Sequence, residues 1–220
     1  IPNKSGTTDV LEFGSTTPDL KEIASKLANA GVKTAVMEAT GVYWIPLYEI
    51  LEDLNFIPIL VDAKAVKNAP GRKYDVVDCQ WIQTLYSNGL LRAAFRPPRE
   101  RLALRAFVRQ RQSIIKYRQK SLLHMEKALQ LMNIKLSGAL SDIGGASGMD
   151  IIRAIVKGER DPTRLATLRN KSCKKPVEEF VAALTGNFQK EHVFSLKQAL
   201  DVYDFAGRQL EECDELVKVE

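Results

Sequence analysis

The chain reads as an α/β domain over residues 1–97 followed by an all-α extension, an antiparallel coiled coil, over 98–220. Three observations predict this. Two short apolar runs, Thr34 to Met37 and Phe56 to Val61, flank a segment in which Trp44, Leu47, Tyr48 and Leu51 follow helical spacing, which makes a βαβ unit. Pro97-Pro98 then interrupts the globular pattern. Beyond it, two long segments, roughly 99–136 and 191–217, carry apolar residues three and four apart.

In chain order, Ile1-Pro2 reads as the end of a strand, Asn3 to Gly6 as a turn, and Asp9 to Phe13 as the next strand. Pro18 to Gly31 predicts an amphipathic helix, capped by Thr17, whose Leu20, Ile23, Ala24, Leu27 and Ala30 would cover one face of the sheet. The apolar run at Thr34 stops at Glu38. A carboxylate there is costly unless something pairs with it, and ligands of open α/β sheets bind beyond the carboxyl ends of the strands, so Glu38 is a candidate site residue. The helix of the βαβ unit spans Tyr43 to Leu54.

After the second strand, Asp62 to Lys73 reads as a loop carrying Lys64, Lys67, Asn68, Arg72 and Lys73 beside Pro70-Gly71, basic enough to hold phosphates. Asp75 and Asp78 follow, three apart, in a segment of helical character with Val76, Val77, Ile82 and Leu85. Both would project from one face of its first turn. They also read as a helix cap and as first-turn acids that complement the helix dipole. If Glu38, Asp75 and Asp78 share a crevice they repel one another, and the usual remedy is a hard divalent cation bound through oxygen.

The extension begins with a helix of about 99–136, with Leu104, Val108, Ile115, Leu122, Met125, Leu129, Met132 and Leu136 along its seam. Arg111 and Arg118 interrupt that seam, where polar residues set register or partner. Ser141 to Asp150 looks like a Gly- and Ser-rich link, and short helices at 151–157 and 176–185 are separated by a basic turn from Arg169 to Lys175. The last helix places Leu196, Ala199, Tyr203, Ala206, Leu210, Cys213 and Val217 on one side. That face fits either a return against the first long helix or a second subunit.

The 220 residues carry a net charge of +5, unevenly spread. Between Leu91 and Lys120 ten basic residues (Arg92, Arg96, Arg99, Arg101, Arg105, Arg109, Arg111, Lys116, Arg118 and Lys120) face one acid, Glu100, a net of +9 that leaves the rest of the chain at −4. Such a stripe calls for a polyanion, and nucleic acid is the expected partner. No apolar run is long enough to span a membrane, and three scattered cysteines (Cys79, Cys173 and Cys213) with only His124 and His192 fit a reducing cytoplasm without disulfides or structural zinc. No serine has a base partner at recognisable spacing, which argues against a Ser-His-Asp arrangement. Trp44 and Trp81 read as core aromatics, and His124 as structural.

Two stretches, Met37-Glu38-Ala39-Thr40-Gly41-Val42-Tyr43-Trp44 and Val66 to Asp78 (Val-Lys-Asn-Ala-Pro-Gly-Arg-Lys-Tyr-Asp-Val-Val-Asp), resemble the core motifs of the DEDD-type insertion-sequence transposases related to the Piv and MooV invertases. The resemblance continues through Leu90-Leu91-Arg92, Phe95-Arg96-Pro97, Ile151 to Val156 and Gly158-Glu159-Arg160-Asp161-Pro162. It implies an RNase H-like (RuvC-like) mixed sheet with flanking helices, and four acids of which Glu38, Asp75 and Asp78 match the last three as catalytic metal ligands for Mg²⁺ or Mn²⁺. The first acid has no match, and on this resemblance it would lie on a strand upstream of Ile1.

The same resemblance implies a bacterial cytoplasmic recombinase, a homodimer or tetramer through the coiled coil. It would be guided by an element-encoded noncoding bridge RNA to the element ends and target DNA. Lys64, Lys67, Asn68, Arg72, Lys73, Arg92, Arg96, Arg99, Arg101, Arg105, Arg109 and Arg111 are the expected nucleic-acid contacts. It further implies a C-terminal domain with a nucleophilic serine, which this chain is expected to lack, so that alone it binds nucleic acid without full strand transfer. Alternative readings are a structure-selective DNA junction nuclease on the same fold and a non-catalytic RNA-binding dimer.

Overall fold

A computed structural model describes residues 10–68, 78–170, 173 and 175–219. The chain is mostly helical with a small parallel sheet, a mixed α/β fold, and it divides into two compact units, Ile1–Pro97 and Pro98–Glu220.

In the first unit, α1 (Thr17–Asn29) is followed by β1 (Thr34–Glu38), α2 (Trp44–Asp53) and β2 (Ile57–Val61). β1 and β2 pair in parallel, with Thr34 opposite Ile57 and Glu38 opposite Val61. The cap of α1 is Thr16 and not Thr17: Asp19, three residues on, accepts both the Thr16 N–H at 3.0 Å and its hydroxyl at 2.6 Å, one half of a capping box. Val10 to Phe13 form no strand, which corrects the described part of the expected N-terminal strands, and Ile1 to Asp9, read as a strand end, a turn and the start of the next strand, lie outside the described residues. Instead Val10, Leu11 and Phe13 lie with Ile23, Met37 and Leu51 around a cleft of about 360 Å³.

The expected loop after β2 begins with a helix, α3 (Ala63–Asn68). Asp62 accepts the Lys64 N–H at 2.7 Å, and Ala63-Lys64-Ala65 are good helix formers, so a cap and propensity override the loop reading. α4 (Asp78–Ser87) packs on β1. The chain then passes β2 in the antiparallel sense, with Ala93 bridged to Val61 and the Ala94 N–H donating to Leu60 O at 2.7 Å. Val61, Val66, Leu85 and Leu91 form the core here, with Trp81 packed against it.

The second unit opens with a 3₁₀ turn at Arg99–Arg101 that runs into α5 (Leu102–Leu131), followed by α6 (Leu136–Ala139), α7 (Ala146–Val156), α8 (Pro162–Thr167), α9 (Val177–Leu184) and α10 (Lys190–Val219). α5 and α10 lie antiparallel: Arg111 meets Asp214, and seven residues later Arg118 meets Tyr203. Six of the seven seam residues read on the last helix (Leu196, Ala199, Tyr203, Ala206, Leu210 and Cys213) are buried. The C-terminal half of α5 and the N-terminal half of α10 enclose the main core with the short helices, around Met125, Leu129, Ile152, Phe180 and Leu200. The other halves share only a small cluster, Ile114 with Ala206, Leu210 and Cys213.

Two expectations fail in this unit for identifiable reasons. α5 stops at Leu131 because Asn133 takes a left-handed conformation (φ 57°), which sends its N–H to Gln130 O and that of Ile134 to Leu129 O. The supposed link at 141–150 contains the first turn of α7, in which Ser147, Gly148 and Met149 are buried. Gly148 packs so tightly that a Cβ there would fall 2.1 Å from Ile143 O, so a glycine that looks like linker composition is a packing requirement.

Candidate active site and nucleic-acid interface

Glu38 is the last residue of β1 and half-buried. Its carboxylate accepts the Thr40 hydroxyl, which supplies part of the partnering a carboxylate at a strand end needs. The turn after it is braced from α2. Gly41 has φ 57°, and its carbonyl accepts the Trp44 indole N–H at 3.2 Å. Asp78 is the first residue of α4 and exposed. Cys79, next to Asp78, lines the same cleft as Met37, next to Glu38, so the packing of α4 on β1 brings the neighbours of the two acids to one place. Asp75, Arg72 and Lys73 lie outside the described residues. Among the described residues no three His, Cys, Asp or Glu side chains form a metal cluster.

The donor set named by the sequence, Glu38 and Asp78 with Asp75, is entirely carboxylate. That is the chemistry of a hard divalent ion rather than of zinc or copper.

The basic residues fall into two groups. Lys64, Lys67 and Asn68 on α3, and Arg92, Arg99, Arg101, Arg105 and Arg109, are exposed. Arg96 is not: its side chain is 9% exposed, its NH2 donates to Glu49 at 3.3 Å, its NH1 lies 3.7 Å from Glu52, and its guanidinium stacks on Tyr48 and Trp44 at 3.9 and 5.5 Å. Arg96 therefore braces α2 instead of offering its charge to a phosphate. Trp44, read as core, is half of that brace. No spacing in the sequence signals it, because Arg96 lies 47 residues from Glu49.

Arg111 is also engaged, donating its Nε–H to Asp214 at 2.5 Å, and this bond holds the Asp214 carboxyl below the usual carboxylate range. The two seam arginines of α5 thus both find partners on α10.

In the second unit an apolar groove of about 630 Å³ lies between α5 and α10, with Tyr117, Phe194, Val202 and Phe205 exposed along it. His124, read as structural, is exposed at its edge. The Gly158-Glu159-Arg160-Asp161-Pro162 stretch turns out to be a structural joint. Gly158 (φ 106°) ends α7, Glu159 accepts the N–H groups of Arg160 and Asp161 at 2.9 Å each, and Asp161 caps α8 through the Thr163 N–H at 2.9 Å. No described helix is long and apolar enough to cross a membrane.

The family model of the IS110-type DEDD transposases, described as a transposase, matches residues 4–134 of the chain. Among curated proteins nothing matches.

Proposed function

The chain belongs to the IS110-type DEDD transposase family, whose members recombine DNA and generally use divalent metals, and from that premise we propose a specific reading of its parts. The first unit is an RNase H-like (RuvC-like) catalytic domain in which Glu38, Asp75 and Asp78 hold Mg²⁺ or Mn²⁺ for cleavage of DNA strands. The observation that carries this is the placement of Glu38 at the carboxyl end of a parallel strand with a helix that starts at Asp78 packed against the same strand. Ligands of α/β sheets gather at such ends.

The chemistry divides between the ion and the chain. A divalent ion there would polarise the scissile phosphate and activate the attacking oxygen. Glu38 and Asp78, with Asp75, would supply its oxygen ligands. Thr40 restrains the Glu38 carboxylate through its hydroxyl, and the Trp44 indole fixes the backbone of the Glu38–Gly41 turn, so that the acid is oriented before any ion arrives.

The second unit is a coiled-coil domain that joins copies of the chain and holds nucleic acid. The apolar groove beside Tyr117, Phe194, Val202 and Phe205 is the face we assign to the second copy, since so many large apolar groups on one side of a helix pair mark an association surface. Arg99, Arg101, Arg105 and Arg109, with Lys64, Lys67, Asn68 and Arg92 of the first unit, would neutralise phosphates of the DNA and of an element-encoded guide RNA. The family membership supports the guide RNA, and the basic helix is the part of this chain suited to it.

Asp78→Asn tests the catalytic assignment. In the complete recombinase, with its guide RNA, the variant should fold and bind DNA as the parent does and lose strand cleavage. Cleavage at the parental rate would remove Asp78 from the site. Dependence of the parent's cleavage on added Mg²⁺ or Mn²⁺ checks the ion.

A further inference from the structure

We propose that the polar cavity at the start of α7 is a binding site for one phosphate group of a nucleic-acid backbone. The inference rests on the nucleic-acid reading above and adds a site that the basic stripe does not contain. The cavity, about 440 Å³, is lined by Gly144 and Ala146 at the head of α7, by Arg118 from α5, by Arg153 from α7, and by Asp204 and Arg208 from α10.

Arg118 carries the argument. Its NH2 donates to the Tyr203 hydroxyl at 2.7 Å and its guanidinium lies 4.4 Å from the centre of the same ring, both neutral partners. Its Nε is buried with no hydrogen-bond partner, and among the described residues no carboxylate pairs with it. An arginine does not shed its proton when buried, so this is a lasting cation without a counter-ion, and a partly buried charge left unpaired is costly.

The neighbouring acids do not answer it. Asp204 is taken by Arg153 at 2.5 Å. Glu211 stands at the rim, where Arg208 is also exposed, its guanidinium 5.9 Å from the centre of the Phe205 ring. Three arginines and two acids leave the lining net positive.

The opposite wall favours the same ligand. α7 runs for 11 residues and its cap is Gly145, which has no side chain to accept the first-turn N–H groups. Asp142 accepts the Gly144 N–H at 2.8 Å, one residue before the cap. Gly144 and Ala146 of that start line the cavity together with Arg118, and a phosphate can accept from backbone N–H groups and from a guanidinium at once.

A phosphate of a nucleic-acid backbone is the form of this anion that the nucleic-acid reading supplies, and the probes below separate it from free phosphate.

Two surface changes test this in the full chain. Gly145 has φ −73° and ψ 171°, and a Cβ there would meet nothing closer than Asp142 O at 3.4 Å, so Gly145→Asp is sterically tolerated. It places a carboxylate at the helix start, which improves the cap and fills the anion position. Arg208→Gln removes the rim cation.

The probes are a labelled 30-base-pair DNA duplex and a labelled 30-nucleotide RNA, each titrated by fluorescence anisotropy over a range of salt, together with inorganic phosphate by calorimetry. Each variant should weaken nucleic-acid binding roughly five-fold and reduce the slope of log affinity against log salt by about 0.9 on the duplex, the share of one neutralised phosphate. The melting temperature of Gly145→Asp should stay close to that of the parent, the added cap offsetting the like charge of Asp142, whose Oδ2 lies 3.8 Å from the new Cβ.

Parental affinity and salt slope in both variants would overturn the site. Saturable binding of inorganic phosphate that Gly145→Asp abolishes, with nucleic-acid binding untouched, would also overturn it, in favour of a free phosphate. A parent chain that binds neither probe would instead sink the nucleic-acid reading on which the site depends.

Discussion

The Arg96 guanidinium sits 3.9 Å from the centre of the Tyr48 ring. Its NH2 also donates to Glu49 at 3.3 Å, so one cation ties the end of the first unit to a face of α2 through both a ring and a carboxylate. Trp44 completes the brace, edge-on to Tyr48 at 5.7 Å with Arg96 over its own ring, and through its indole N–H it reaches Gly41 beside Glu38.

Arg96→Ala should therefore act on stability. We expect a loss of about 1–3 kcal/mol, since the stacking and a mostly buried charged hydrogen bond go together while Glu49 and Glu52 remain partly solvated. Urea denaturation of the two proteins measures it. Arg96→Lys should recover only part, because an ammonium lacks the planar face that stacks on Tyr48. The salt dependence of nucleic-acid binding should not change in either variant, and a shallower slope would return Arg96 to the phosphate-binding set.

Asn133 gives a second prediction. It holds the left-handed turn that ends α5, with its own N–H on Gln130 O at 2.9 Å. Asn133→Gly should keep or slightly raise the melting temperature, since glycine adopts that conformation without strain. Asn133→Val should cost about 1–2 kcal/mol, because a β-branched residue bears the left-handed penalty in full. Equal stability of the two variants would show that the turn has another cause.

The helix ends explain much of what the sequence conveyed and what it did not. α1, α2, α4, α5 and α7 all end on a left-handed residue, respectively Gly31, Asn55, Gly89, Asn133 and Gly158. Where that residue is glycine the signal is familiar. At Asn133 it was not, because Ile134 and Leu136 continue the apolar spacing across the break, and periodicity alone extends the helix to residue 136.

The βαβ unit and the α10 seam were legible because each depends on local spacing. Thr16 as the cap of α1, the α3 turn after Asp62 and the packing of Gly148 on Ile143 depend on one atom reaching another, which spacing does not encode. At the candidate site, Glu38 was readable from the end of an apolar run. The hydroxyl of Thr40 and the indole of Trp44 that restrain its turn were visible only in three dimensions.

Asp214 yields a pH prediction. The hydrogen bond from Arg111 holds its carboxyl below the usual range in the folded chain. A lowered folded value means that the stabilisation is complete above the ordinary aspartate value of about 3.9 and is lost only as pH falls through the lower folded value. Chemical denaturation of the parent and of Asp214→Asn across about pH 2 to 7 should therefore show the parent more stable at neutral pH, with the two curves converging at the acid end. A difference that stays constant with pH would mean that the ionised carboxylate is not the source.

Arg105 and Arg109 supply the prediction that bears most directly on binding. Both are exposed on the basic half of α5, and among the described residues neither forms an ion pair, whereas Arg111 two residues further on is spent on Asp214. Replacing Arg105 and Arg109 with Ala should leave the melting temperature of the chain close to that of the parent, since exposed side chains on a helix contribute little to stability. It should weaken binding to a DNA duplex and lower the salt slope by up to about 0.9 for each phosphate no longer neutralised, or about 0.7 on a single strand. Arg111→Ala should do the reverse, lowering stability through the missing bond to Asp214 with a smaller effect on the slope. The pair of measurements, melting temperature against salt slope, separates the arginines that hold the two long helices together from those left to hold a polyanion. An unchanged slope in the double variant would mean that the basic stretch of α5 does not touch phosphate.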